Sequence, residues 1–137
     1  MPSIETSIWL ALRARIEALT LSPALPIAWP NESFTPPSSG YLRVTWIPNI
    51  NRRLFLGSAD AHQRLSLLQV DVFAKKNQNV AVALEIAGKV AQHFPADLRM
   101  TAQGITCRVI KAPDVAQPLP DDAFLMVPVT IAIEAFI

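Results

Sequence analysis

The side chains in this sequence that could carry out chemistry are few and widely spaced. Asp60 and His62 are two positions apart and come nearest to a pair of metal ligands, but no third ligand follows at a useful spacing. Protein metal sites use three or four ligands, so we interpret both as solvated loop residues. Cys107 lies in an alternating, strand-like segment, where a buried structural cysteine is more common than a nucleophile.

The remaining titratable groups give no stronger signal. Asp121 and Asp122 are adjacent in a turn, whereas paired acid and base catalysis needs two carboxylates that converge on one bond. His93 lies at the end of a predicted helix, where a histidine favours the negative helix end. The four glycines are isolated, so the sequence has no phosphate-binding loop. The residues therefore predict no catalytic, cofactor-binding or metal site.

The composition indicates one domain that hides part of its surface against partners. A chain of 137 residues suits a single domain, 1–137, with one core. It is 51% hydrophobic and only 17% charged, and its mean hydropathy is +0.30. Soluble domains usually carry about 25% charged residues. Self-association is therefore the first functional expectation.

Charge, cysteine count and apolar runs exclude several other classes. No apolar run approaches the roughly 20 residues of a membrane-spanning helix, and we expect no signal peptide. A single cysteine rules out an internal disulfide framework and favours a reducing compartment. The net charge of +1 gives no global attraction to nucleic acid. The only basic cluster is local, at Arg52, Arg53 and Arg64.

Two helices are predicted from apolar residues at helical spacing. The first covers roughly residues 3–20, with Ser3 as its N-cap and with Ser22 and Pro23 ending it. The second covers roughly 79–94, with Asn79 as its possible cap. The apolar stripes are Ile4, Ile8, Leu12, Ile16 and Leu19 in the first, and Val80, Leu84, Ala87, Ala91 and Phe94 in the second.

Five strands are predicted around these helices. The stretch from Ile27 to Trp29 lies between two prolines and fits only a sheet edge. "YLRVTWI", "LSLLQVDVFA", "ITCRVIKA" and "FLMVPVTIAIEAFI" follow, and "PDVAQPLPDD" is interpreted as a loop. The order is α-β-β-β-α-β-β. The predicted fold is α+β, with two helices packed on one face of a mainly antiparallel sheet.

Residues 49–64, which we call the arm, stand out as polar and basic with few core residues. The arm is predicted to be a long loop or an extended hairpin, and such segments tend to be functional or mobile. Its arginines and one aromatic, Phe55, are a weak form of a single-strand nucleic-acid surface. A contact with another protein is the preferred interpretation, since arginine is also an interface residue. We expect the arm to be mobile in the isolated protein.

Several stretches together resemble a known family. The chain opens with "SIETSIWLALRARIEAL", continues with "LPIAWPNESFTPP" and "YLRVTWIP", and later has "QVDVFA", "HFP" and "VPVTIAI". This order is similar to that of small phage and prophage proteins related to tail terminators, the tail-completion proteins of long-tailed phages. The pattern W-x-N-x-x-F-x-P-P…Y-L-R-V is its most specific part, and here Pro30 separates Trp29 from Asn31. The resemblance covers almost the whole chain.

The resemblance implies a structural role. Tail terminators of this kind form a ring, commonly a hexamer, on the last ring of the tail tube, where the ring stops tube growth and presents a surface to the head–tail connector. The implied partners are further copies of the chain, the tail tube protein and the connector. No enzyme activity, cofactor or membrane is implied. The expected location is the host cytoplasm during assembly and then the virion tail.

The candidate interface residues come from two stretches. A ring needs two different patches on each subunit, and we place them at residues 29–37 and on the arm. Trp29 and Phe34 anchor a subunit contact or else cap the core of their own subunit, and both alternatives stay open, whereas Trp46 is expected to face the core. The predicted interface residues are Trp29, Phe34, Arg52, Arg53, Phe55 and Arg64.

Three other functions remain alternatives. A head–tail connector, or neck component, belongs to the same structural class and is hardly distinguishable by sequence. A nucleic-acid-binding module would use Arg52, Arg53 and Arg64, although a net charge near zero argues against it. A small hydrolase would be built around Cys107 or around the pair Asp60 and His62.

Overall fold

A computed structural model describes residues 2–21 and 24–137 of the chain, and two helices and eight strands lie within this part. Helix α1 (Ile4–Glu17) comes first. The other elements, in chain order, are β1 (Ile27–Ala28), β2 (Tyr41–Arg53), β3 (His62–Lys75), α2 (Val80–His93), β4 (Arg99–Ala102), β5 (Ile105–Val109), β6 (Asp114–Val115), β7 (Leu119–Asp121) and β8 (Phe124–Phe136). Ser22 and Pro23, the expected end of the first helix, lie outside the described residues.

Three long strands form the centre of one mixed, mostly antiparallel sheet. The sheet order is β1-β2-β3-β8-β5-β4, and β6 and β7 pair with β8 beside β5. The register places Leu68 of β3 between Trp46 of β2 and Ile131 of β8. The predicted α+β class and mainly antiparallel sheet are confirmed. The predicted edge strand is also confirmed, since β1 pairs with β2 alone, in parallel.

The predicted count of five strands is wrong because three short strands were not recognised. Strand β4 has four residues and forms a hairpin with β5. Strands β6 and β7, with two and three residues, lie in the proline-rich stretch that was interpreted as a loop. Pro120 lies within β7, which is possible because an edge strand leaves backbone positions that need no ladder hydrogen bond.

The core lies between one face of the sheet and the two helices, as the alternation of the long strands predicts. Strands β2, β3 and β8 bury every second residue on this face: Leu42, Val44, Leu68, Val70, Val72, Val127, Val129, Ile131 and Ile133. Helix α1 buries Ile8, Leu12 and Ile16 from its predicted stripe. Helix α2 differs: it buries Ala83, Ala87 and Val90, and Phe94 is buried directly after it, whereas Val80 and Leu84 of the predicted stripe are exposed. Small alanines let this helix approach the sheet closely.

The helix ends are held by side-chain hydrogen bonds. Both predicted caps are confirmed: Ser3 Oγ accepts from Thr6 N at 3.2 Å, and Asn79 Oδ1 accepts from Ala81 N at 2.9 Å. At the C-terminal ends of α1 and α2, the Arg15 guanidinium donates to the His93 carbonyl oxygen, and His93 Nε2 lies 2.6 Å from the Arg15 carbonyl oxygen. Burial lowers the pKa of His93. The histidine therefore links the two helices and has a structural role.

Candidate functional site

The first half of β2, Tyr41–Trp46, is packed on both sides of the sheet. Gly40 precedes it with φ +117°, and a Cβ at this position would lie 2.6 Å from the Phe73 carbonyl oxygen. The Tyr41 ring stacks on Phe73 with centroids 4.4 Å apart and meets Phe124 edge-on at 5.4 Å. The ring of Phe34, a predicted interface residue, has its centroid 5.2 Å from that of the Tyr41 ring. Phe34 therefore packs within its own subunit, and a subunit contact through this residue stays a prediction.

A buried carboxylate lies on the sheet face away from the helices, which we call the open face. Asp71 is only 1% exposed, and its Oδ2 accepts from the Arg43 guanidinium at 3.0 and 3.2 Å. Its Oδ1 accepts from Gln69 Nε2 at 2.8 Å. The Arg43 guanidinium also lies 4.9 Å from the Phe73 ring centroid. A carboxylate satisfied at both oxygens secures the pairing of β2 with β3, and this geometry indicates a structural role.

Three tryptophans cluster where β2 leaves the core. The Trp9 ring stacks on Trp46 at 6.3 Å and meets Trp29 edge-on at 6.1 Å. The Arg13 guanidinium lies 4.2 Å from the Trp29 ring and forms an ion pair with Glu32 at 2.6 Å. Trp46 is partly buried on the core side, as expected, and Trp9 was not predicted as a member. Trp29 thus packs against its own core, and its contact with another subunit stays a prediction.

Beyond Trp46 the character of β2 changes. Every residue from Ile47 to Asp60 is exposed. The register of β2 on β3 shifts between Pro48 and Asn51, which marks a β-bulge, and pairing then continues to Arg53. The arm is therefore an extended hairpin, one of the two predicted alternatives, closed by a turn in which Asp60 N donates to the Gly57 carbonyl.

The end of the arm presents three apolar side chains to solvent. Leu54, Phe55 and Leu56, which we call the apolar tip, are 43%, 57% and 96% exposed. The Arg53 guanidinium donates to the carbonyl oxygens of Phe55 and Leu56 and so fixes the backbone of the tip. An exposed cluster of large apolar residues typically marks a surface that binds a partner.

The three arginines of the arm do not form one basic surface. Arg52 pairs with Gln63 and Asn51 pairs with Arg64, so Arg52 and Arg64 lie on opposite sheet faces. Arg64 approaches α1, where its Nη1 lies 3.6 Å from Glu5 Oε1. Arg53 is engaged by the apolar tip, and Arg52 forms no ion pair within the described part of the chain. The arrangement lacks the continuous basic strip that a nucleic-acid groove uses.

A cavity of about 90 Å³ lies between α1 and the base of the arm. Trp46 Nε1 and Arg64 Nε are buried beside it, without a hydrogen-bond partner among the residues that the structure describes. Glu5 of α1 and Asn49, Asn51 and Ser66 of the strands line the same cavity. Arg64 is therefore part of the anchor that ties the arm to α1.

The residues considered for chemistry are dispersed. Cys107 is buried, its Sγ lies 3.6 Å from the Met100 carbonyl oxygen, and burial raises its pKa to about 11, so the thiol stays protonated at neutral pH. His62 exchanges two backbone hydrogen bonds with Ile137, and Asp60 lies in the turn of the arm. Across residues 2–21 and 24–137, no three His, Cys, Asp or Glu side chains come together to hold a metal ion. Neither described helix has the length and apolar character needed to cross a membrane.

Comparisons with known proteins match most of the length of this fold. A family model described as phage tail terminator protein matches residues 7–132, which include most of α1, the whole of β2 and the arm. Five solved chains match at a significant level. One of them has a TM-score of 0.78 and 28% sequence identity, over 98% of this chain and 96% of that chain. No curated protein sequence matches at that level.

Proposed function

The chain belongs to the phage tail terminator family, and we propose that it caps the tail tube as a ring of its own copies. In this proposal the ring, a hexamer, ends tube growth and presents a surface for joining to the head. Its partners are further copies of the chain, the tail tube protein and the head–tail connector. It assembles in the host cytoplasm and then remains in the virion tail. The observation that carries the proposal is the family match across nearly the whole chain.

The geometry of β2 supports a role in assembly. Tail terminators are structural proteins, and an isolated subunit of this one exposes an apolar tip that only a partner can bury. The low charge of the chain, 17%, fits the same requirement. We assign ring contacts to the predicted residues, which all lie in the segment from the end of β1 to the first residues of β3: Trp29, Phe34, Arg52, Arg53, Phe55 and Arg64. In this set Arg64 acts by holding the arm to α1.

Electron microscopy of growing tail tubes tests the proposal directly. Tube protein is assembled with and without this chain, and we expect shorter tubes that carry one extra terminal ring. The variant Arg52→Ala with Arg53→Ala is expected to fold normally, since surface substitutions change stability by about ±0.5 kcal/mol, and to cap tubes poorly. The matched control is Leu84→Ala on α2, which removes an exposed apolar side chain outside the proposed contacts.

The possible results separate the two structural functions. Tubes that keep elongating, or that gain no terminal ring, would refute the terminator activity. Binding to isolated heads in the same experiment would then favour the head–tail connector. If the double arginine variant caps tubes as well as the unchanged protein, Arg52 and Arg53 have no part in assembly.

A further inference from the structure

A closed ring of identical subunits needs a second surface that lies away from the arm. A head-to-tail contact joins two different patches, one on each side of the subunit. Residues 29–37 and the arm both flank strand β2, and the arm extends from its far end. A receiving patch on the other long side of the sheet would lie well apart from the arm. The other long side of β8 is where β5, β6 and β7 pair.

The stretch that contains β6 and β7, residues 113–123, has the opposite chemistry to the arm. It contains three aspartates and no lysine or arginine. Leu119 is 45% exposed, and the carboxylates of Asp121 and Asp122 form no ion pair within the described part of the chain. An exposed leucine beside free carboxylates complements an apolar tip beside a free arginine.

The two patches lie on the same sheet face at opposite ends of β8. Arg52 pairs with Gln63, which pairs with Phe136, and Asp121 pairs with Phe124. Paired residues share a face, and alternate residues of a strand do so too, so Arg52 and Asp121 both lie on the open face. Phe124 and Phe136 are the two ends of the 13-residue strand β8. At about 3.3 Å per residue they are about 40 Å apart, so the two patches cannot meet within one subunit.

We propose that the arm of one subunit docks on the β6–β7 stretch of the next copy, with the apolar tip against Leu119 and Arg52 against Asp121. This inference rests on the proposed ring and adds the identity of the surface that receives the arm. A second copy is the occupant because one chain carries both complementary patches. Their wide separation on one face lets the same contact repeat from subunit to subunit until the ring closes.

A charge exchange between the two patches tests the contact. Arg52→Glu alone and Asp121→Arg alone are each expected to lower tube capping at least tenfold at limiting protein concentration. Both substitutions in one chain restore opposite charges across the contact and are expected to recover most of the capping. Arg99→Glu, at an exposed position of β4, is the control for the loss of a surface arginine. Failure of the double variant to recover, or unchanged capping by both single variants, would overturn the proposal.

Disulfide cross-linking provides a readout that does not depend on capping. The native Cys107 is buried and does not compete. Chains with both Phe55→Cys and Leu119→Cys are expected to form ladders of linked copies, because the two positions are too far apart to join within one chain. A mixture of the two single variants is expected to give linked dimers only. Leu84→Cys with Leu119→Cys is the control pair and is expected to give no ladder.

The two measurements distinguish failure of the docking from failure of the terminator function. One outcome is that the unchanged protein caps tubes but the double-cysteine variant gives no arm-to-β7 cross-links, on tubes or in concentrated solution. This outcome would overturn the docking and leave the terminator function intact. Cross-linked ladders without capping would support the docking and refute the terminator function. Cross-linking of the Phe55→Cys variant to tube protein instead of to a second copy would overturn the proposal that a second copy receives the arm.

Discussion

The two halves of β2 belong to one strand and have opposite surroundings. From Tyr41 to Trp46 the strand buries Leu42 and Val44 in the core. On its other face Tyr41 stacks on Phe73, and Arg43 forms an ion pair with Asp71. From Ile47 to Arg53 every residue is exposed, and the pairing with β3 contains a bulge. The comparison teaches that burial and exposure are divided within one element: the buried half sets the register in which the exposed half is presented.

The free energy of burial shows what a partner that covers the apolar tip would gain. Burying a leucine or phenylalanine side chain contributes about 1.5–3 kcal/mol. Phe55 and Leu56 are 57% and 96% exposed in the isolated chain, so a contribution of a few kcal/mol from these two is not used in folding. A neighbouring subunit that covers the apolar tip would gain much of it.

The largest expected effect comes from breaking the start of the buried half with Gly40→Ala. The added Cβ meets the Phe73 carbonyl oxygen at 2.6 Å, and φ is +117°. We expect a loss of about 3 kcal/mol in the free energy of unfolding, the sum of a left-handed strain and an overpacking cost. Denaturant unfolding measures it. Gly104→Ala is the control, since Gly104 also has positive φ but no atom near its Cβ; equal losses in the two variants would contradict the steric argument.

A smaller effect is expected from removing one arginine from each half of β2. Arg43→Met keeps an apolar stem over Phe73 but leaves the buried Asp71 carboxylate without its cation. Because Arg43 is half exposed and solvent screens the pair, we expect a loss of about 1–2 kcal/mol. Arg52→Met is expected to change stability by no more than about 0.5 kcal/mol. Thermal unfolding of both variants measures these losses. Similar shifts in Tm would show that the two halves of β2 contribute equally to stability.

The last comparison changes no residue and uses amide exchange of the unchanged protein. We expect the turn of the arm, residues 54–61, to exchange fast because its residues are exposed or only partly buried and its backbone has few hydrogen bonds. Residues 68–73 of β3 are expected to exchange last, since they pair on both sides. Slow exchange across the arm turn in the absence of partners would contradict its predicted mobility. On capped tubes the same turn is expected to become protected.

Strict alternation made the central sheet predictable. In β2, β3 and β8 the apolar residues of the core face recur at every second position, as in Leu68, Val70 and Val72, because alternate residues of a strand share a face. Helix α1 was predictable for a similar reason, since Ile8, Leu12 and Ile16 recur at one helical spacing. The arm was recognised by the absence of any such pattern.

The remaining errors come from structure that depends on distant residues. Strands β6 and β7 are too short to show alternation, and they exist because β8 offers backbone groups to pair with. In α2 the buried face carries Ala83, Ala87 and Val90, whereas Leu84, at the start of the predicted stripe, remains exposed. The position of Arg64 was also unpredictable, because its partner Glu5 comes from the first turn of α1.

Pro48 and the bulge beside it hinder the addition of a foreign strand to β2, which is a route to aggregation. Among the described residues, β1 covers only Leu42 and Arg43 of β2, so the outer edge of the strand beyond them is open. An open edge invites a foreign strand to add and can start amyloid-like growth. Proline has no N–H to donate, and the bulge turns the strand away from a straight template. Both features therefore disfavour the addition of a foreign strand along this edge of β2.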